Sequence, residues 1–155
     1  MRVNELDDGQ LALWVARGLA LEDDIRQATY GHAWMDGDNH CYLVVPGYLF
    51  SNYHQSKFDP VNDWNQGRII VDRMWSVHRS TNASLWSVVA FDNREQTYWG
   101  ATLTVAACRA FVASKFGDNL TEAMQEYAHP GQRTFKLRTQ PALNIPNDPL
   151  LDEPD

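Results

Sequence analysis

Four side chains capable of metal or proton chemistry, His32, Asp36, Asp38 and His40, lie within nine positions of the sequence. Imidazole and carboxylate oxygen are ligands that suit zinc or a similar ion. The usual Cys/His spacings are absent, and the stretch GHAWMDGDNH reads equally as a polar turn-rich loop with incidental histidines. Asp36-Gly37-Asp38-Asn39 is too short for a calcium loop and lacks the distal Glu. No metal is assigned here. Nucleophile chemistry fares no better, because no Gly-x-Ser-x-Gly, phosphate loop or dinucleotide fingerprint occurs. Cys108 sits among alanines in a helical stretch and is expected to be buried and inert. Asp59 and Asp63 lie one helical turn apart, and capping and solvation account for both. The reading therefore contains no catalytic residue and no cofactor, and a metal-dependent hydrolase ranks last among the functions considered.

A second set is aromatic and cationic: Trp64, Arg68, Trp75, Arg79, Trp86, Arg94 and Trp99 fall in one third of the chain. Aromatic rings beside guanidinium groups can stack a base and hold a phosphate. A helix starting at Thr102, with Thr104 nearby, would add free backbone N–H groups suited to an anion. The competing expectation is structural and ranks first: the indoles fill a sheet–helix interface and the Arg stems cover them. A ligand platform requires a pocket beside them.

The elements that must position these residues follow from periodicity. Asp7 or Asp8 caps a first helix carrying Leu11, Trp14, Val15, Gly18 and Leu19 at steps of three and four. Glu22-Asp23-Asp24 reads as a solvated connection. Cys41–Val45 is a short run of β-formers ending at Pro46-Gly47, the pattern of a buried strand, and 51–55 reads as a polar loop. Asp59-Pro60 predicts the start of a second helix, ending near Met74. Trp75–Arg79 and Leu85–Phe91 form a predicted hairpin, 92–96 a turn, and Thr97–Trp99 a third short strand. Thr102 to Phe116, with Gly117 at the stop, is the strongest helical signal, and its small residues predict close packing on a sheet. Leu120, Ala123, Met124 and Tyr127 suggest a short further helix.

Composition bounds the class. At 155 residues and 44% hydrophobic, the chain can bury a core without disulfide or metal support. It reads as one α+β domain over 1–127 and a Pro-rich acidic extended tail over 128–155. Twenty acidic residues against 13 basic give a net charge of −7, which argues against nonspecific binding to nucleic acid or an anionic membrane. Residues 141–155 hold Asp148, Asp152, Glu153 and Asp155 and no basic residue, so the excess charge belongs largely to the tail. Ten of the 13 basic residues are arginine. Two cysteines outside any CxxC pair, no signal-like N-terminus and no membrane-length apolar run point to the reduced bacterial cytoplasm.

Three blocks of sequence resemble a known group. Glu5-Leu6-Asp7-Asp8 with the helix that follows is similar to the N-terminal stretch of the NinX-like proteins of tailed phages. Phe58-Asp59-Pro60-Val61-Asn62-Asp63-Trp64 is similar to a motif of the phage ABA sandwich domain. Trp75, Trp86, Gly100-Ala101-Thr102 and Ala107 to Asp118 resemble that family's closing pattern. The resemblance spans roughly residues 5–118. It implies an accessory protein of a phage or prophage, with a three- or four-stranded antiparallel sheet flanked by helices, and it brings no catalytic residue. The function expected from all of this is non-enzymatic, through a protein partner or self-association into a homo-oligomer. The alternative is capture of a small anionic, nucleotide-like ligand of host signalling.

Overall fold

The computed structural model describes residues 1–46, 53–81 and 84–121. The predicted further helix beyond Thr121 and the tail from residue 128 lie outside these described residues.

The first helix, α1 (Asp8–Ala20), begins as its sequence dictates. The Asp7 carboxylate accepts the Gln10 N–H at 2.8 Å, and the Gln10 side chain accepts the Asp7 N–H at 3.1 Å, a reciprocal cap. Every residue from Leu11 to Ala20 is buried, so α1 is the centre of the molecule and not a surface helix. One charge goes in with it: Arg17 is 2% exposed, and its Nη1 donates to the Gly31 carbonyl at 2.8 Å. Gly31 closes α2 (Asp24–Tyr30), a short helix capped by Asp23. The acidic run expected to be a mere connection is that cap. Glu22 beside it gathers Arg26, Arg73 and Lys115 at 2.9, 2.6 and 3.3 Å.

Two three-stranded antiparallel sheets accompany the helices. The first comprises β1 (Trp34–Met35), β2 (Cys41–Pro46) and β3 (Tyr53–Lys57), in that order. The strand at Cys41 is present, but part of the stretch read as polar loop forms β3, and the loop before β2 contains β1. A polar strand hides its identity because pairing with a neighbour, not its own apolar pattern, makes it a strand.

Helix α3 (Trp64–Val71) starts later than predicted. Asp63 is its cap, accepting the Asn65 N–H at 3.0 Å, while Asp59-Pro60 forms the turn before it. The second sheet, β4 (Met74–Arg79), β5 (Trp86–Ala90) and β6 (Asn93–Gly100), follows the predicted hairpin, with Val77 opposite Val88 and Ser87 opposite Trp99. The segment read as a turn at 92–96 is mostly strand, since the connection tightens to Phe91-Asp92.

Helix α4 (Leu103–Phe116) matches its prediction, from the Thr102 cap to Gly117 at φ 83°. Ala106 and Ala110 meet Val88 and Ala90 of the sheet, and on the other side α4 packs against α1. The contact is close enough that a Cβ on Gly18 would lie 2.7 Å from Phe111 Cε2. The α+β class and a three-stranded antiparallel sheet against helices are both observed, with a second small sheet added.

Candidate functional site

The tryptophans expected to fill the sheet–helix interface do not. Trp64, Trp75 and Trp99 are 53%, 53% and 50% exposed, and Trp86 alone of the four packs partly against the Val88–Ala106 cluster. The alanines of α4 explain the correction: they bring helix and sheet too close for an indole to fit between them. A Cβ on Gly100 would lie 2.6 Å from the Ala106 backbone nitrogen, a measure of that approach. Two other tryptophans do pack against aromatic partners. Trp14 meets Phe116 edge-on at 4.9 Å, and Trp34 stacks on Tyr42 at 5.5 Å.

The sheet brings four members of the Trp/Arg set together as two pairs. The Arg94 guanidinium lies 5.0 Å from the Trp75 ring and 4.6 Å from that of Phe91. This works because Met74 pairs with Ala90 and Ser76 with Val89, leaving Trp75 as the extra residue of a bulge beside the Phe91-Asp92 turn. Arg79 lies 5.7 Å from Trp86, its cross-strand neighbour. Trp64 and Arg68 stand exposed on α3. Thr102 spends its hydroxyl on its own helix, accepting the Val105 N–H at 3.2 Å, and Thr104 is buried, donating to the Val61 carbonyl at 2.6 Å. Thr104 is thereby a tie between α4 and the turn before α3.

The His/Asp loop is organised around its own backbone. Asp36 Oδ1 accepts the N–H groups of Asp38 and His40, each at 2.9 Å, and these bonds to His40 first, with its nearby charge, lower the Asp36 pKa. His40 Nδ1 is 3.8 Å from Asp36 Oδ2. His32 is exposed over much of its surface, yet desolvation by its surroundings and then the charge of Arg17 lower its pKa below 6.5, leaving it neutral at pH 7. Among the described residues, no group of three or more His, Cys, Asp or Glu is arranged to hold a metal ion.

The same loop helps to build a feature that the sequence reading missed. A cleft of about 480 Å³ is lined by Asp7, Asp8, Asp38, Asp59, His40 and Lys57, among others. The start of α1, the turn before β2 and the Asp59 turn converge there. Asn62 Nδ2 bridges Asp8 and Asp59 at 3.2 and 3.1 Å, and Asn39 Nδ2 donates to Asp7 at 2.9 Å, so amide donors separate the carboxylates. Gly9 is needed at this meeting, because a Cβ there would collide with the Asn39 carbonyl. Asp7 and Asp59 are visible in the sequence as caps, but only folding brings them within one cleft. Its field favours a cationic group and opposes a phosphate. Cys41 lines it as a buried thiol that desolvation, then the charge of Asp59, pushes up to about 12, so it is no nucleophile at neutral pH.

Fold and surface together define a small α+β domain with two compact antiparallel sheets, half-exposed aromatic side chains on the second, and an acidic cleft between loops. Residues 2–115 match the family described as Bacteriophage P22, NinX, and the chain belongs to that family. This makes it a phage accessory protein. No curated protein matches the chain.

Proposed function

We propose that the protein acts by binding another protein through the exposed aromatic end of its second sheet, in the cytoplasm of the bacterial host and without catalysis. One observation carries this reading: Trp75, Arg94 and Phe91 form a stacked cluster in solvent. Trp, Phe and Arg are the side chains enriched at the centres of protein interfaces. A guanidinium resting on two rings is also ordered in advance, which lowers the entropy lost on docking. No helix among the described residues is long and apolar enough to cross a membrane.

The nucleotide-like ligand is the second reading, supported by Arg79 beside Trp86 and Arg94 beside Trp75. It is the weaker one, because these guanidinium groups already occupy the rings that a base would need, and the 480 Å³ cleft is lined with carboxylates.

The test is a Trp75→Ser/Phe91→Ser double variant expressed during phage infection, with complexes compared by size and composition against the unmodified chain. The double variant should lose a complex that the unmodified chain forms, while its thermal midpoint stays within a few degrees. Persistence of every complex refutes the surface. Quenching of Trp fluorescence by a nucleotide panel would move the conclusion to the second reading.

A further inference from the structure

A second cleft, of about 230 Å³, is lined by Arg2 and Asn4 of the N-terminal segment, Gln96 and Trp99 of β6, Arg109 of α4, and Asp118. Its two cations are not equally matched. Arg2 Nη2 lies 2.7 Å from Asp118 Oδ2, and the Tyr98 hydroxyl is 3.5 Å from Asp118 Oδ1, so this carboxylate already has its counter-charge. Arg109 makes no ion pair among the described residues. Its Nη1 donates to the Trp99 carbonyl at 2.7 Å, and its Nε is buried without a hydrogen-bond partner. A guanidinium desolvated on one side and given only a neutral acceptor lacks the anion that would offset that desolvation.

The indole beside it supplies a surface for a flat ring. Trp99 is 50% exposed, and in contrast to Trp75 and Trp86 no guanidinium of the described residues lies over it. Rings stack on such a face, and a fixed guanidinium fork matches an acid. The bond from Arg109 to the Trp99 carbonyl links the two parts, so platform and cation are positioned together. Volume sets the size of the occupant: about 230 Å³ lies below the roughly 300–1,000 Å³ of sites for drug-sized ligands, which favours one ring with one acidic group over a whole nucleotide. Charge sets the acid. With Arg2 and Asp118 cancelling, the one remaining cation matches a carboxylate, whereas a phosphate dianion would leave a second negative charge near Asp118.

We propose that this cleft binds a small aromatic carboxylate, with the acid on the Arg109 guanidinium and the ring against Trp99. The site shares no residue with the Trp75, Phe91 and Arg94 cluster, so it goes beyond the partner-binding reading and does not depend on it.

The test is titration of the full chain with benzoate, followed by NMR through the backbone amide and indole N–H resonances. Benzoate should bind saturably, with a dissociation constant of about 1 mM or tighter for a ligand of its size. The shifts should centre on Trp99 and Arg109 and leave His40 and Asp59 in the acidic cleft unmoved. Arg109→Gln and Trp99→Leu should each weaken binding by about tenfold or more, and cyclohexanecarboxylate and phenyl phosphate should both bind more weakly than benzoate. Because the Trp99 indole is half exposed, its variant keeps the fold and decides the question if Arg109→Gln does not fold. Absence of saturable binding well above that concentration would overturn the proposal. So would shifts centred on the acidic cleft, affinity insensitive to Trp99→Leu, or tighter binding of phenyl phosphate than of benzoate.

Discussion

Glu22→Gln is the substitution whose cost can be worked out most fully from the structure. Burial by itself would raise the Glu22 pKa, but the hydrogen bonds and charge of Arg73, then the bonds from Arg26 and Lys115, outweigh it and hold the carboxyl at about 2, against the usual 4.5. Each decade of proton affinity is worth about 1.36 kcal/mol, so the ionised group contributes at most about 3 kcal/mol. The cations are partly solvated, with Arg26 39% and Arg73 26% exposed, and screening reduces the expected value to about 2 kcal/mol. Because the folded-state pKa is depressed, this stability is fully present above the unfolded value near 4.5 and is lost as pH falls from there toward 2. Urea unfolding of Glu22→Gln and the unmodified chain should therefore differ by about 2 kcal/mol at pH 7 and progressively less below pH 4. The same network joins the end of α1 to α3–β4 and α4, so Arg73→Met should show strong non-additivity with Glu22→Gln. A loss below about 0.5 kcal/mol at pH 7, or a loss that stays constant down to pH 2.5, would refute the reasoning.

Two further outcomes follow from the packing. Gly18→Ala places a methyl against the Phe111 ring at the α1–α4 contact, where both helices are buried; despite its better helix propensity, the variant should lose about 1–3 kcal/mol through overpacking, read as a lower thermal midpoint. Cys108 is fully buried, and desolvation with the charges of Asp59 and Asp8 raises its thiol pKa. Cys108 and Cys41 should react with a thiol reagent only as fast as the protein opens, so labelling at pH 8 should accelerate on addition of urea; rapid stoichiometric labelling in buffer would contradict the burial.

Local signals are legible in α4 and in the hairpin of the second sheet, where one segment contains its own instructions. The Thr102 cap, the alanine-rich face of α4, its stop at Gly117 and the Trp75–Phe91 hairpin all rest on neighbours within a few positions, and the structure has them. The late start of α3 was missed because Asp59 and Asp63 are both competent caps, and Pro60 favoured the earlier one. Strand β3 was missed because Tyr53-His54-Gln55-Ser56-Lys57 has no apolar alternation; its register against β2 comes from Val44 facing Gln55 across the sheet. For the Trp/Arg set, sequence spacing alone does not tell exposed rings such as Trp64, Trp75 and Trp99 from partly buried Trp86.

By itself, the sequence determined the class of fold, the ends of α1 and α4, the second sheet and the NinX-like character of the chain, because caps, periodicity and turn residues act over one or two helical turns. The tertiary structure decided that three indoles stay in solvent, that Arg94 lies against both Trp75 and Phe91, and that Asp7, Asp8, Asp38 and Asp59 share a cleft. The reason is steric and long-range. How near α4 lies to its sheet is set by alanines on one element and by Val88, Ala90 and Gly100 on others, and that distance, which no single segment encodes, determines which side chains have room inside.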